Sequence, residues 1–137
     1  MTSRFVTTLR VRFAETDQQG VVHHGATLTY FEVARVEYFR NLGFDYRRME
    51  ETGLSLVVVE AASRYHRPAY FDDELRLFIE LTQLRSASLT FGYEVRRGEE
   101  LLTSGTTKLA VLGPGGRPRR IPADFKEALL SGEGPPS

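Results

Sequence analysis

The residues able to do chemistry are concentrated in one stretch near the N-terminus, Glu15-Thr16-Asp17-Gln18-Gln19-Gly20-Val21-Val22-His23-His24-Gly25. It supplies two carboxylates, two imidazoles and two glycines just ahead of a segment with helical periodicity. A carboxylate on a loop before a helix stands beside the backbone N–H groups that a helix leaves unbonded at its start. Those groups, with the positive end of the helix dipole, can stabilise a developing oxyanion. One loop could therefore carry both halves of an acyl transfer. Asp17 would attack or activate water, and amides near His24 and Gly25 would polarise a carbonyl. Gly20 and Gly25 are expected to supply the backbone freedom that turns such amides toward a ligand. An aspartate ahead of a helix is also a common turn or cap residue, so the spacing alone leaves both readings open. Glu15 reads as a solvated loop charge and His23 as a pocket or surface residue. His24 reads as an amide donor, with or without a side-chain role in orienting substrate or moving a proton.

The elements that must position these residues fit one domain. The chain has 137 residues, with 18 basic and 18 acidic side chains and a formal net charge of zero. That length suits a single domain over residues 1–130 with a flexible tail at 131–137. The charge balance argues against a nucleic-acid partner. Cysteine is absent, which excludes disulfides, thiolate metal ligands and a thiol nucleophile. Three histidines (His23, His24, His66) are too few and too scattered for an all-histidine metal site, so no metal is expected there. No apolar run reaches the ~18 residues of a membrane span. Met1 to Arg12 lacks a signal-peptide pattern, so the expected setting is cytoplasmic, without membrane insertion.

Residues Arg4 to Phe13 alternate as a strand with one buried face. From Ala26 to Leu42 the apolar period becomes helical, through Leu28, Phe31, Ala34 and Tyr38. Thr29 with Glu32 suggests a capping box, and Gly43 a helix stop. Arg35 is expected to pair with Glu32 or Glu37. A short helical segment at Asp45 to Thr52 precedes four strands: Leu54 to Arg67, Glu74 to Arg85, Ser88 to Arg97 and Leu101 to Leu112. Arg97-Gly98 reads as a tight turn, and Pro122 to Leu130 as a terminal helix. The order predicts an α+β domain, an antiparallel sheet wrapped around one long central helix. A single sheet face cannot cover a helix apolar on most sides, which predicts a dimer.

The string Thr16-Asp17-x-x-Gly20-x-Val22-x-His24, followed by Tyr30/Phe31-x-x-x-Arg35 and Gly43, resembles the 4-hydroxybenzoyl-CoA thioesterase family of the hotdog fold. It is especially similar to the bacterial acyl-CoA thioesterase branch associated with the Tol–Pal system. Tyr65-x-x-Pro68-Ala69-x-x-Asp72-Asp73-x-Leu75 and Ser88-x-x-Phe91-x-Tyr93-Glu94 extend the match in the right order. The resemblance implies hydrolysis of an acyl-CoA by a homodimer or homotetramer, at a site built across the dimer interface, with no metal or other cofactor and with CoA only as part of the substrate. It makes Asp17 the catalytic carboxylate, as nucleophile or general base, and the backbone amide at His24 a polarising group. The chain departs from the branch at Ala26 and Thr27, where Asn and Tyr are common. Arg85 fits a CoA-phosphate cluster, whereas its neighbours Ser86 and Ala87 do not.

Candidate substrate contacts are Gly20, Val22, His23, Gly25, Thr27 and Tyr30, with Arg64, Arg67 and Arg85 for the carrier phosphates. Two other functions stay open: a non-catalytic acyl-thioester binding or scaffold protein, and a hotdog dehydratase acting on hydroxyacyl thioesters.

Overall fold

The computed structural model describes residues 4–132, the side chain of Tyr46 aside. Five strands are laid down as β1 (Phe5–Arg10), β2 (Ser55–Tyr65), β3 (Glu74–Leu84), β4 (Ser88–Arg97) and β5 (Glu100–Leu112). They pair antiparallel in the order β1-β3-β4-β5-β2. Among the described residues three α-helices accompany them: α1 (His24–Asn41), the short α2 (Tyr46–Glu51) and α3 (Ala123–Ser131). This is the hotdog arrangement of a curved sheet around a central helix, and residues 133–137 of the expected tail lie outside the described residues.

Alternation along β3 and β4 decides which face meets α1. Leu75, Leu77, Ile79 and Leu81 point to the same side as Leu89, Phe91, Tyr93 and Val95, and all are buried. Phe31 of α1 stacks on Tyr93 with ring centres 4.4 Å apart, and Tyr38 meets Phe91 edge-on at 6.0 Å. Each such ring contributes on the order of 1.5–3 kcal/mol by leaving water. Gly105 on β5 lets the helix come this close, because a Cβ there would run into the Phe31 ring and the Ala62 carbonyl. Register shifts at Val58/Glu60 in β2 and Leu81/Gln83 in β3 insert one extra residue each, which bends the sheet around the helix.

Three local expectations are corrected. The helix begins at His24, not near Thr29. Its cap is His23, whose Nδ1 accepts from the Ala26 N–H at 3.3 Å, so Thr29 and Glu32 form no capping box. Arg35 turns inward and donates to the Tyr93 hydroxyl at 3.1 Å instead of pairing with Glu32 or Glu37, and Glu37 pairs with Arg40. Leu28 is 46% exposed and so is not part of the buried stripe. At the other end Gly43 adopts φ 84° and the helix stops there, as its sequence position predicts.

The two sheet edges differ. β1 is six residues long and half-buries alternate side chains, whereas β2 is eleven residues long and exposed along nearly its whole length. Val57, Val58 and Val59 lie open on β2 at 42%, 42% and 54% exposure.

Candidate active site

The loop between β1 and α1 is a small hairpin closed by its own backbone. Asp17 N–H donates to the Val21 carbonyl, Gly20 N–H donates to the Asp17 carbonyl, and Thr16 bridges Val22. Gly20 sits at φ 79° with open space where a Cβ would be, so glycine is needed there for its backbone angle. Gly25, by contrast, lies inside α1 with ordinary helical backbone, and the expected special freedom is not used there. A second set of bonds seats the hairpin on the chain that follows β2. Val22 N–H donates to the Ala69 carbonyl at 2.9 Å, and Val21 bridges Tyr70.

Asp17 is exposed. Its Oδ1 accepts from the N–H groups of Gln19 at 2.8 Å and Val21 at 3.2 Å, and its Oδ2 has no partner among the described residues. The turn role and a chemical role are therefore compatible, since one oxygen serves each. At the start of α1 the Ala26 N–H is taken by His23. The N–H groups of His24 and Gly25 have no partner among the described residues, as the first turn of a helix predicts.

Glu15 is not the solvated charge its loop position suggests. Its side chain is only 13% exposed, and both oxygens are taken. Oε1 accepts from the Tyr30 hydroxyl at 2.8 Å and from the Arg12 N–H at 3.0 Å, while Oε2 accepts from Arg12 Nε at 2.9 Å. Burial pushes this carboxyl up, but the Arg12 N–H, the Tyr30 hydroxyl and the Arg12 guanidinium together outweigh it and hold the pKa below the ordinary range. Burial and the facing carboxylate both push the Tyr30 hydroxyl above the usual phenol range, so it stays a donor.

A cavity of about 240 Å³ opens between the start of α1 and the end of β2. Val22, His24, Thr27, Tyr30 and Arg67 of the expected contacts line it, together with Val21, Tyr65 and His66. Asp17, Gly20, His23 and Gly25 do not line it within one chain. Tyr65 was not singled out for a role by sequence reasoning, although it belongs to the second matching string. Its ring packs against the His24 imidazole at 4.7 Å, and its hydroxyl donates to the His24 carbonyl at 3.4 Å. Arg97 is also newly found. It pairs with Asp73 at 2.7 Å and Glu100 at 2.6 Å and lies against the Tyr70 ring, holding the segment that seats Val21 and Val22.

The three candidate phosphate arginines are not gathered in one chain. Arg67 pairs with Glu100 beside the cavity at 3.1 Å. Arg64 lines a different cavity, on the sheet face turned away from α1, with Arg4, Phe78 and Glu94. Arg85 lies exposed in the β3–β4 turn, where its N–H donates to the Ser88 carbonyl. Among the described residues no cluster of three or more histidine or carboxylate side chains could hold a metal, and none of the described helices is long and apolar enough to cross a membrane.

The family model described as the thioesterase superfamily matches residues 19–104. A putative esterase of Aquifex aeolicus is 35% identical over 91% of this chain and 97% of its own. The acyl-CoA thioester hydrolase YbgC of Escherichia coli is 30% identical over 92% of this chain and 98% of its own. The crystal structure of a DHNA-CoA thioesterase from Staphylococcus aureus superposes with a TM-score of 0.87 at 30% identity, covering 93% of this chain and 89% of its own. Splitting a thioester with water needs no cofactor, in keeping with the side chains at this site. The chain belongs to the thioesterase superfamily and is a thioester-hydrolysing enzyme of the hotdog fold.

Proposed function

We propose that this enzyme hydrolyses acyl-CoA thioesters with Asp17 as the reactive carboxylate and the N–H groups of His24 and Gly25 as oxyanion donors. One observation carries the reading. Among the described residues, the hairpin leaves one Asp17 oxygen without a partner and delivers the chain directly into a helix whose first two N–H groups are also unbonded. The thioester carbonyl oxygen meets the amides, which become stronger partners as negative charge develops on it. Asp17 then attacks the carbonyl carbon and expels the CoA thiolate, leaving an anhydride for water to open. Alternatively it takes a proton from water, which attacks instead. Either route ends in a free acid and CoA with its thiol protonated.

The E. coli relative named as an acyl-CoA thioester hydrolase supports CoA as the carrier. The 4-hydroxybenzoyl group is one candidate acyl part among several. The long exposed edge of β2, with Val57 to Val59 open, supports a homodimer in which two sheets join edge to edge. Light scattering at micromolar concentration is expected to give at least twice the chain mass, and a monomer there would remove the two-subunit site.

The test of the reaction is a panel of thioesters from acetyl-CoA to palmitoyl-CoA, with hydroxybenzoyl-CoA and phenylacetyl-CoA, read by released thiol. Turnover is expected for at least one ester, with a free acid as product. Asp17→Asn is expected to lower kcat about a hundredfold or more with the fold intact. Wild-type turnover in that variant, or an enoyl product in place of the acid, would overturn the assignment.

A further inference from the structure

We infer that Glu15 and Tyr30 form a positioning pair, which holds the Asp17 hairpin on the first two turns of α1 without touching substrate through Glu15. The inference rests on the acyl-CoA hydrolase reading above, and extends it to a residue two positions from the proposed reactive carboxylate.

The hairpin's internal bonds, from Asp17 to Val21 and Thr16 to Val22, fix its shape but not its place on the helix. Glu15 supplies that placement from both its main chain and its side chain. Its carbonyl accepts from the N–H of His23, the helix cap, at 3.0 Å. Its carboxylate accepts from the Tyr30 hydroxyl on the second turn of α1 at 2.8 Å. The same carboxylate takes two donors from Arg12, where the chain leaves β1. One residue thus ties together the strand exit, the helix cap and the second helical turn. Asp17 and the N–H groups of His24 and Gly25 lie on either side of these ties. A shift between hairpin and helix therefore changes the gap that a reacting carbonyl must span, and catalysis is steep in such displacements.

The surroundings separate this pair from the reacting groups. Glu15 does not line the cavity, and both its carboxylate oxygens are taken, by Arg12 and Tyr30. Tyr30 lines the cavity but is only 2% exposed, with its hydroxyl directed to Glu15. A buried carboxylate persists as an acceptor only where charge-assisted donors surround it, and here three do.

Two measurements on the full chain test the pair. The first is amide hydrogen exchange at Val21 and His23. Tyr30→Phe, which removes the donor, and Glu15→Met, which removes the acceptor, are each expected to speed it about tenfold or more, since each breaks the bond that closes the hairpin onto α1. The second is steady-state kinetics on the best ester of the panel. Both variants are expected to lower kcat by about tenfold to a hundredfold, with KM within about twofold and melting temperatures still above the assay temperature. The double variant should be no slower than the slower single one, because the two substitutions remove one shared bond. Unchanged exchange overturns the pairing. Wild-type kcat in both variants overturns its link to catalysis, as does a rise in KM alone. Asp17→Asn measured alongside keeps the two ideas apart. If it is inactive while the pair variants run at wild-type speed, only the positioning role falls. If it retains full turnover, the reaction assignment falls first and the link to catalysis with it.

Discussion

Glu15 and Asp17 are two residues apart on one loop and carry the same functional group, yet their surroundings are opposite. Glu15 is 13% exposed with both oxygens bonded, and its donors hold its pKa below the ordinary range. Asp17 is exposed, with one oxygen bonded to the loop's own amides and the other without a partner among the described residues. On the proposed reading, the difference divides labour between two like groups. A carboxylate whose lone pairs are filled can only brace the structure. One with a free oxygen can also react, and the partner bonds on its other oxygen aim it. Asp17→Asn breaks the comparison most severely. The amide can still accept from Gln19 and Val21, so the hairpin survives, but the proposed nucleophile or base is gone. The expected loss is the hundredfold or more stated above, exceeding that of Glu15→Gln. An inverted order, with Glu15→Gln the more damaging in kcat at equal folding, would make Glu15 the reactive acid.

How much of this was legible in the sequence follows from the range of the interactions. The helical period from Ala26 to Leu42, the alternation in β3 and β4 and the stop at Gly43 are local, and each stands in the structure close to where the residues predict it. The candidate loop stands out in the sequence because its residues are contiguous. The parts that escaped depend on contacts between segments. Glu15 is internal because Tyr30, fifteen positions away, offers it a hydroxyl. Buried tyrosine hydroxyls commonly take such a partner, and that tendency is the available signal. Tyr65 reaches His24 across 41 positions, and no period in the chain announces the meeting. Arg35 was assigned to helical neighbours because those pairs are local, whereas the buried Tyr93 hydroxyl offers it a partner across the core. The same limit applies to Arg64, Arg67 and Arg85, which look alike as isolated cations and stand in three separate places.

Acid sharpens the contrast between the carboxylates by a smaller amount. The folded pKa of Glu15 is depressed, so its contribution to stability is fully present above its unfolded value. It is lost as pH falls through the lower folded value. Glu94, held low by Arg96 and Arg4 against the opposing pull of burial, behaves in the same way and so adds to the wild type's acid sensitivity. Comparison of wild type with Glu15→Gln isolates the first residue. The variant is expected to be less stable at neutral pH, with the gap narrowing as pH drops below about 4.3, the ordinary glutamate value. Urea unfolding at a series of pH values reads this directly. A gap that stays constant to strongly acid pH would mean that Glu15 gains nothing from being ionised in the fold.

The smallest expected effect comes from Arg12, and it decides which of Glu15's partners does the holding. The Arg12 side chain is 76% exposed, so its guanidinium pairs with Glu15 largely in water. Such a pair is worth at most about 1 kcal/mol and weakens with added salt. The Arg12 backbone N–H, which any residue there would supply, keeps its own bond to Oε1. Arg12→Gln should therefore leave kcat within about twofold of wild type and lower stability by less than about 1 kcal/mol, a deficit that shrinks at high ionic strength. Tyr30→Phe, by contrast, removes a donor shielded from solvent and should cost more in both readings at every salt concentration. If Arg12→Gln instead matched Tyr30→Phe, the exposed ion pair and not the buried hydroxyl would be what secures the hairpin.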